Sequence, residues 1–205
     1  MRIAIVGGTG PFGSGLATRL RGAHDVVLGS RDSARAEEAA NELGVEGMTN
    51  DEAVRTASLI VLATKAEAAL DTARGLRELI GSTPVLCVAS ELRFTPGGVL
   101  PTLETTSLAE RVQAVLDAPV LAGLHSLAAS TLGSSEPPDE DTFICGDETD
   151  AKTRALEVAG RLTAGRAFDA GPLASARALE GLTAVIVNLN KRYRGHAGIR
   201  VTGLP

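Results

Sequence analysis

A glycine-rich turn near the N-terminus carries the spacing with the clearest chemistry. The motif Gly8-x-Gly10-x-x-Gly13 follows an apolar run at residues 3–6 that predicts a buried strand. Glycines let the backbone approach a pyrophosphate closely, and the start of the following helix offers unpaired N–H groups with a partial positive charge. The turn therefore predicts a dinucleotide site, although an ordinary tight strand-to-helix turn can show the same spacing.

The residues around the turn supply the context that this motif needs. Pro11 lies where a helix would start, a position that tolerates its missing N–H, and Thr9 adds a hydroxyl donor. Small and apolar residues at 16, 17 and 20 form one helical face, Gly22 ends the helix, and residues 24–30 predict a second strand. A strand, a turn, a helix and a second strand together favour dinucleotide binding.

The end of the second strand indicates which dinucleotide is bound. An NAD site usually has an acidic residue there, about 20 residues past the glycines, for the ribose 2′-hydroxyl. Here Ser30 and Arg31 occupy the strand end, with Arg35 one helical turn on. Guanidinium groups match phosphate oxygens, which predicts NADP. Alternatively, the two arginines only solvate a helix start, and Asp32 binds a ribose hydroxyl.

The remaining pattern alternates strands with helices, which predicts an α/β fold with a Rossmann-type doubly wound parallel sheet. Asn50 is expected to cap a helix over residues 51–57. Residues 1–141 form the predicted NADP-binding domain, and residues 142–205 form a smaller C-terminal α/β part that ends in a long helix and completes a substrate cleft. The other predicted strands are 45–48, 59–63, 85–88, 119–124, 142–145 and 167–170, and the other predicted helices are 34–43, 66–80, 107–116, 150–162 and 173–193.

Two long segments, residues 90–105 and 130–141, fall at the carboxyl ends of predicted strands, where ligands lie in such sheets. Both are expected to be loops, and long loops on this edge are usually functional. The second could equally be a mobile connector. The long helix carries an apolar stripe that belongs either to the core or to an interface between two copies. The stripe consists of Leu179, Leu182, Val185, Ile186 and Leu189.

Composition limits the classes of partner. A formal charge of −5 argues against nucleic acid or an anionic membrane, and a 44% hydrophobic content supports a substantial core. Cys87 and Cys145 each lie in an apolar run, which favours reduced core residues over a disulfide or a metal site. The chain starts directly with a strand and has no apolar run of membrane length, so a soluble, cytoplasmic protein is expected.

Later runs are more specific than the glycine turn. They include Leu124-His125, Cys145-Gly146-Asp147 and the sequence Asp-Ala-Gly-Pro-Leu at residues 169–173. With Gly29-Ser30-Arg31 and the N-terminal turn, they make the sequence similar over nearly its whole length to a known family. The chain resembles the NADPH-dependent reductases of coenzyme F420, an 8-hydroxy-5-deazaflavin.

This resemblance implies an oxidoreductase that transfers hydride between NADP(H) and coenzyme F420, as a homodimer. It also implies roles for residues at matching positions. The pyrophosphate and 2′-phosphate contacts would be Thr9, Gly10, Pro11, Phe12, Ser30, Arg31 and Arg35; Thr64, Lys65, Ser90 and Leu92 would flank the nicotinamide; His125, Leu127 and Ala129 would line the cleft floor; and the tail around Ala197 would close it.

His125 is the candidate catalytic residue. It could donate a hydrogen bond to the deazaflavin or the nicotinamide amide, or relay a proton, but it could also be a structural histidine at a strand end. Lys65 could contact an anion or only be solvated. Residues 65–68 and 89–93 differ from the family pattern. Two alternatives therefore remain open: an NADPH-dependent reductase of another acceptor, such as a flavin, an imine or a metal chelate, and a non-catalytic NADP-binding sensor.

Overall fold

The computed structural model describes residues 1–204, which alternate strands and helices along most of their length. The strands are β1 (Arg2–Val6), β2 (Asp25–Ser30), β3 (Glu46–Thr49), β4 (Leu59–Leu62), β5 (Val85–Cys87), β6 (Leu92–Thr95), β7 (Gly98–Pro101), β8 (Val120–Gly123), β9 (Thr142–Gly146) and β10 (Ala167–Asp169). The helices are α1 (Pro11–Leu20), α2 (Ser33–Leu43), α3 (Asn50–Thr56), α4 (Ala66–Ile80), α5 (Leu108–Gln113), α6 (Ala129–Leu132), α7 (Thr149–Ala159) and α8 (Ala176–Tyr193), and a 3-10 turn at Leu173–Ser175 leads into α8.

One sheet organises the described residues. Eight strands lie in the order β10-β9-β8-β5-β4-β1-β2-β3, and every neighbouring pair is parallel except β8 and β9. The strand order reverses beside β1, so the carboxyl ends of β1 and β4 enclose a crevice. This topology confirms the predicted α/β class and the Rossmann-type sheet. The same sheet continues into β9 and β10, which residues 142–204 contribute.

Apolar strands explain why the sheet is covered on both faces. Along β1, Ile3 and Ile5 pack into one core cluster with α1 and α7, while Ala4 and Val6 pack into the other with α3, α4 and α5. A strand buried on both faces needs apolar side chains at every position, which is the pattern seen at residues 59–62. Cys87 and Cys145 are both buried, as predicted, in the core cluster that includes α3, α4 and α5, and burial raises the pKa of Cys87 to about 12.

The helix after β3 begins one residue earlier than predicted. Thr49, not Asn50, is the N-cap residue: its Oγ1 accepts from the Glu52 N–H at 3.3 Å, and Glu52 Oε2 accepts from the Thr49 N–H at 3.0 Å. This reciprocal pair is a capping box. The expectation that Asn50 caps the helix is therefore wrong, and Asn50 becomes the first helical residue.

The segment predicted as a loop at residues 90–105 contains the antiparallel hairpin β6–β7. The hairpin packs on α8, where the Asn188 side chain accepts from the Val99 N–H at 2.8 Å and donates to the Val99 carbonyl at 2.7 Å. A contact across 89 residues cannot be predicted from local pattern, so the loop prediction was wrong here. The segment after residue 130 begins inside the short helix α6.

Helix α8 divides its apolar stripe between the core and the surface. Ile186 is buried, Leu179 and Leu182 are half-buried, and Val185 and Leu189 are 53% and 40% exposed. The helix therefore belongs only partly to the core. Within residues 1–204 no helix combines the length and apolar character that crossing a membrane requires.

Candidate functional site

The glycine turn joins β1 to α1 at the carboxyl edge of the sheet. Gly7 has a φ of +74°, and a Cβ there would lie 2.9 Å from Thr64 Cγ2, so glycine is required. A Cβ on Gly13 would lie 2.7 Å from Gly8 Cα, so these two glycines allow α1 to pack closely on the turn. The Gly-x-Gly-x-x-Gly rule does not include Gly7; the adjacent pair Gly7-Gly8 is the signal that could have found it.

Helix α1 presents an open N-terminus above this turn. Gly10 is the N-cap residue and has no side chain to satisfy the first N–H groups, and Pro11 is the first helical residue, as predicted. Unpaired N–H groups at the start of a ten-residue helix are suited to a phosphate.

A cleft with a volume of about 440 Å³ lies over the turn, at the ends of β1, β2 and β4. Gly8 and Gly13 lie in packing contacts beneath it. Most of the predicted phosphate-side residues line the cleft together with Gly7 and Asn50. The predicted residues that line it are Thr9, Gly10, Pro11, Phe12, Ser30, Arg31, Arg35, Thr64 and Lys65.

Two guanidinium groups border this cleft without a partner. Across residues 1–204, neither the Arg31 nor the Arg35 side chain makes a hydrogen bond or an ion pair. Asp32 forms no ion pair with either arginine; its carboxylate caps α2 by accepting from the Arg35 backbone N–H at 3.3 Å. Two free cations beside an open helix N-terminus fit the 2′-phosphate and pyrophosphate of NADP.

Two buried polar atoms of the cleft also have no partner in the described residues. They are Thr64 Oγ1 and Asn50 Oδ1. An adjoining groove of about 750 Å³ shares Ser30, Arg31 and Asn50 with the cleft. Asn50 is therefore a cleft residue that reasoning from the sequence missed, because an asparagine before a helical pattern is usually a cap.

His125 lies farther along the same sheet edge, after β8. Its Nδ1 is 3.2 Å from Ser90 Oγ, and Ser90 Oγ is 2.8 Å from Thr183 Oγ1, which donates to the His125 carbonyl at 2.9 Å. His125 is 5% exposed, and its Nε2 has no partner within residues 1–204. Burial lowers the pKa of His125 to about 4, so the ring is neutral near pH 7.

The backbone before His125 is strained. Leu124 is buried and has a φ of +64°, a conformation that costs about 1–2 kcal/mol for a residue with a Cβ. This turn ends β8 and directs His125 toward Ser90. Non-glycine residues in this region concentrate at functional sites.

The other predicted substrate-side residues lie on separate elements. Leu92 is half-buried and starts β6, Leu127 is 8% exposed and donates its N–H to the Leu124 carbonyl at 3.1 Å, and Ala129 starts α6. Ala197 follows α8, and its N–H donates to Asn190 Oδ1 at 2.5 Å. Their contacts with a ligand stay predictions.

The mostly parallel sheet, the glycine turn after β1 and the cleft above it, bordered by two free arginines, define an α/β dinucleotide-binding protein of the Rossmann type.

Comparison with known proteins narrows this class. Residues 2–89 match the family described as NADP oxidoreductase, coenzyme F420-dependent. An F420-dependent NADP reductase from Methanothermobacter thermautotrophicus is 34% identical to this protein, in an alignment that covers all of this chain and 96% of the relative. One from Methanocaldococcus jannaschii is 32% identical, with coverage of all of this chain and 99% of the relative. A solved structure from Arthrobacter sp. FB24, described as a candidate F420-dependent NADP reductase, shares this fold, with a TM-score of 0.87 over 99% of this chain and 100% of its own, at 23% identity. The chain belongs to the F420-dependent NADP reductase family.

Proposed function

We propose that this protein transfers hydride between NADP(H) and coenzyme F420. The observation that carries the NADP half is the pair of unpartnered guanidinium groups, Arg31 and Arg35, beside the open N-terminus of α1. The F420 half is supported by the two relatives that match over the full chain and are both named F420-dependent NADP reductases.

The residues of the first cleft would hold NADP by its phosphates. The N–H groups at the start of α1 would face the pyrophosphate, and Thr9 would add a hydroxyl. Ser30, Arg31 and Arg35 would hold the 2′-phosphate through charge-assisted hydrogen bonds. Thr64 and Lys65 follow β4 and would contact the chain between the phosphates and the nicotinamide.

The nicotinamide supplies the carbon that gives or accepts hydride, and the deazaflavin C5 is its counterpart. Written toward F420, NADPH, F420 and one proton give NADP⁺ and reduced F420, with the proton supplied by solvent. The protein's task is to hold the two rings together and exclude water.

His125 is proposed to act in this second part of the site as a neutral group. With a pKa near 4, the imidazole is neutral at pH 7 and is not a protonated general acid. The Ser90 and Thr183 hydroxyls fix its orientation, which leaves Nε2 for a hydrogen bond to the nicotinamide amide or the deazaflavin. Leu92, Leu127, Ala129 and Ala197 would supply apolar walls that exclude water.

We further propose that the protein is a homodimer. The hairpin β6–β7 and the outer face of α8 expose several large apolar side chains, and we call this set the α8 face. It contains Phe94, Val185, Leu189 and Tyr193, exposed by 71%, 53%, 40% and 74%. Large apolar side chains exposed together on packed elements are typical of an interface between protein chains.

The function is tested by mixing the purified protein with NADPH and oxidised F420 and following the loss of deazaflavin absorbance. We expect bleaching at an enzyme-like rate, and much slower bleaching with NADH at the same concentration. The F420 assignment would be contradicted if the bleaching did not depend on the protein, or if the protein bound NADPH but no bleaching occurred. Failure to bind NADPH would contradict both halves.

A further inference from the structure

Asn50 stands at the point where the two phosphate-side cavities meet. It lines both the cleft and the adjoining groove, as do Ser30 and Arg31. The parallel register pairs Ser30 with Thr49, the last residues of β2 and β3, so Arg31 and Asn50 directly follow the ends of two adjacent strands. They therefore leave the carboxyl edge of the sheet side by side.

The Asn50 side chain has no structural hydrogen bond to explain it. The capping of α3 is done by Thr49 and Glu52. Asn50 is 7% exposed, its Oδ1 is buried without a partner, and its amide makes no hydrogen bond to any residue within 1–204. A buried amide oxygen without a partner is costly, and buried polar atoms are almost always hydrogen-bonded, so a missing partner points to a group that binds there.

Close packing holds the amide in place. A Cβ on Gly29 would lie 2.7 Å from Asn50 Oδ1, so the glycine before Ser30 leaves the space that this side chain occupies. The sequence Gly29-Ser30-Arg31 thus does two things. It presents the phosphate-binding groups of β2, and it admits the Asn50 amide next to them.

We propose that Asn50 is a binding residue for the adenosine ribose of NADP(H) and its 2′-phosphate. This inference rests on the proposed NADP function. The amide carries both a donor and an acceptor, so it can bond a phosphate oxygen and a ribose oxygen together. The amide is also uncharged. This matters for a bound phosphate because three carboxylates, Asp51, Glu67 and Asp71, already line the groove and a fourth would add to the repulsion.

The charge of position 50 therefore contributes to the choice of cofactor. A carboxylate of the same shape would repel the 2′-phosphate, but it could accept a hydrogen bond from the free 2′-hydroxyl of NADH, as acidic residues do in NAD sites. Asn50→Asp is expected to weaken NADPH at least about tenfold and to leave NADH binding equal or tighter. Asn50→Ala is expected to weaken NADPH about 3–10-fold through the lost hydrogen bonds.

The test measures dissociation constants by calorimetry for adenosine 2′,5′-bisphosphate, NADPH and NADH. The bisphosphate has no nicotinamide, so its binding reports on this end of the site whether or not the protein reduces F420. The matched controls are Asn41→Ala and Asn41→Asp, which make the same chemical changes at an exposed position of α2. A thermal unfolding measurement on each variant checks that it is folded.

Weaker binding of the bisphosphate by both Asn50 variants, with the NADPH-to-NADH ratio reversed toward NADH only in Asn50→Asp, supports the proposal. Binding within twofold of the wild type in folded Asn50 variants overturns it, as does an equal loss for NADPH and NADH in Asn50→Asp. If the wild-type protein does not bind the bisphosphate while it still bleaches F420 with NADPH, the Asn50 assignment fails alone. If it binds none of the three nucleotides, the proposed function fails with it.

Discussion

Arg31 and Arg35 differ from most charged residues of this protein because they have no internal partner. Arg2, for comparison, is paired with Asp25 at 2.7 Å. A free guanidinium at a strand end contributes little to folding, since even paired surface charges are worth only about 0–1 kcal/mol. Its contribution is therefore expected in ligand binding.

Arg31→Ala should weaken NADPH far more than NADH. Loss of the charge-assisted hydrogen bond should weaken the binding free energy of NADPH by about 1–3 kcal/mol. NADH has no 2′-phosphate, so it does not make this hydrogen bond and should bind almost unchanged. Dissociation constants from nucleotide fluorescence titrations check this. The control is Arg154→Ala, which removes the same charge from an exposed position on α7. Equal losses for the two nucleotides would refute the 2′-phosphate assignment.

The phosphate-binding residues of the site could be predicted from the sequence because they lie close together along the chain. The glycine spacing, Pro11 and the Ser30-Arg31 pair all follow from strand and helix ends within about 30 residues of each other, as in one βαβ unit. Asn50 could not be predicted in this way, because its position beside the end of β2 depends on the pairing of β2 with β3. The link between His125, Ser90 and Thr183 escapes it too, because those residues are 35 and 93 positions apart.

Among the elements, long apolar or strongly periodic segments were predictable and short ones were not. Helix α4 has its predicted bounds, Ala66–Ile80, because its periodic apolar face is buried and Gly81 follows it. The four-residue strands β6 and β7 have no such signal. Their stability comes from Asn188 on α8, which occupies the space above Gly98, whose φ is +133°.

The tail after α8 is an element held by acidic residues of the loop before β9. Asp141 accepts from the Val201 N–H at 2.7 Å and pairs with Arg200 at 3.3 Å, and Arg200 also pairs with Asp139. Glu140 lies between these acids, 4% exposed, and a Cβ on Gly198 would lie 3.0 Å from its Oε2. Arg166 is a further cation beside this cluster, bonded to the Val201 carbonyl at 3.0 Å.

Glu140 should make stability fall as the pH rises. Burial raises its pKa from an ordinary 4.5 to about 7, while the Ile199 backbone opposes the shift. A carboxyl whose pKa is raised in the folded state stabilises the fold fully below pH 4.5, and this contribution is lost as the pH rises through 7. The full shift would correspond to about 3 kcal/mol, and solvent at the edge of the tail reduces this to about 1–2 kcal/mol.

Glu140→Gln should therefore be more stable than the wild type at pH 8 and closer to it at pH 5, as measured by urea unfolding at both values. Glu136→Gln is the matched control, because Glu136 lies exposed in the same loop. If Glu140→Gln changes the free energy of unfolding equally at both pH values, the carboxyl does not titrate in this interval.

For the molecule as a whole, the α8 face is the main unexplained surface. Its two elements are fixed to each other by Asn188, and the Lys191 ammonium lies 5.6 Å from the Phe94 ring centroid. The face is therefore a rigid surface and not a loose segment.

A charge placed on the α8 face should separate the subunits. In light-scattering chromatography the wild-type protein is expected to have twice the chain mass of 21.0 kDa, and the double variant Val185→Glu, Leu189→Glu should have the mass of one chain. Both side chains are substantially exposed, so the monomer should stay folded, whereas desolvating two carboxylates in an interface is prohibitive. Ala23→Glu, at an exposed position after α1, should leave the mass unchanged. A wild-type protein that elutes at 21.0 kDa, or a double variant that stays paired, would show that this face is not where two copies meet.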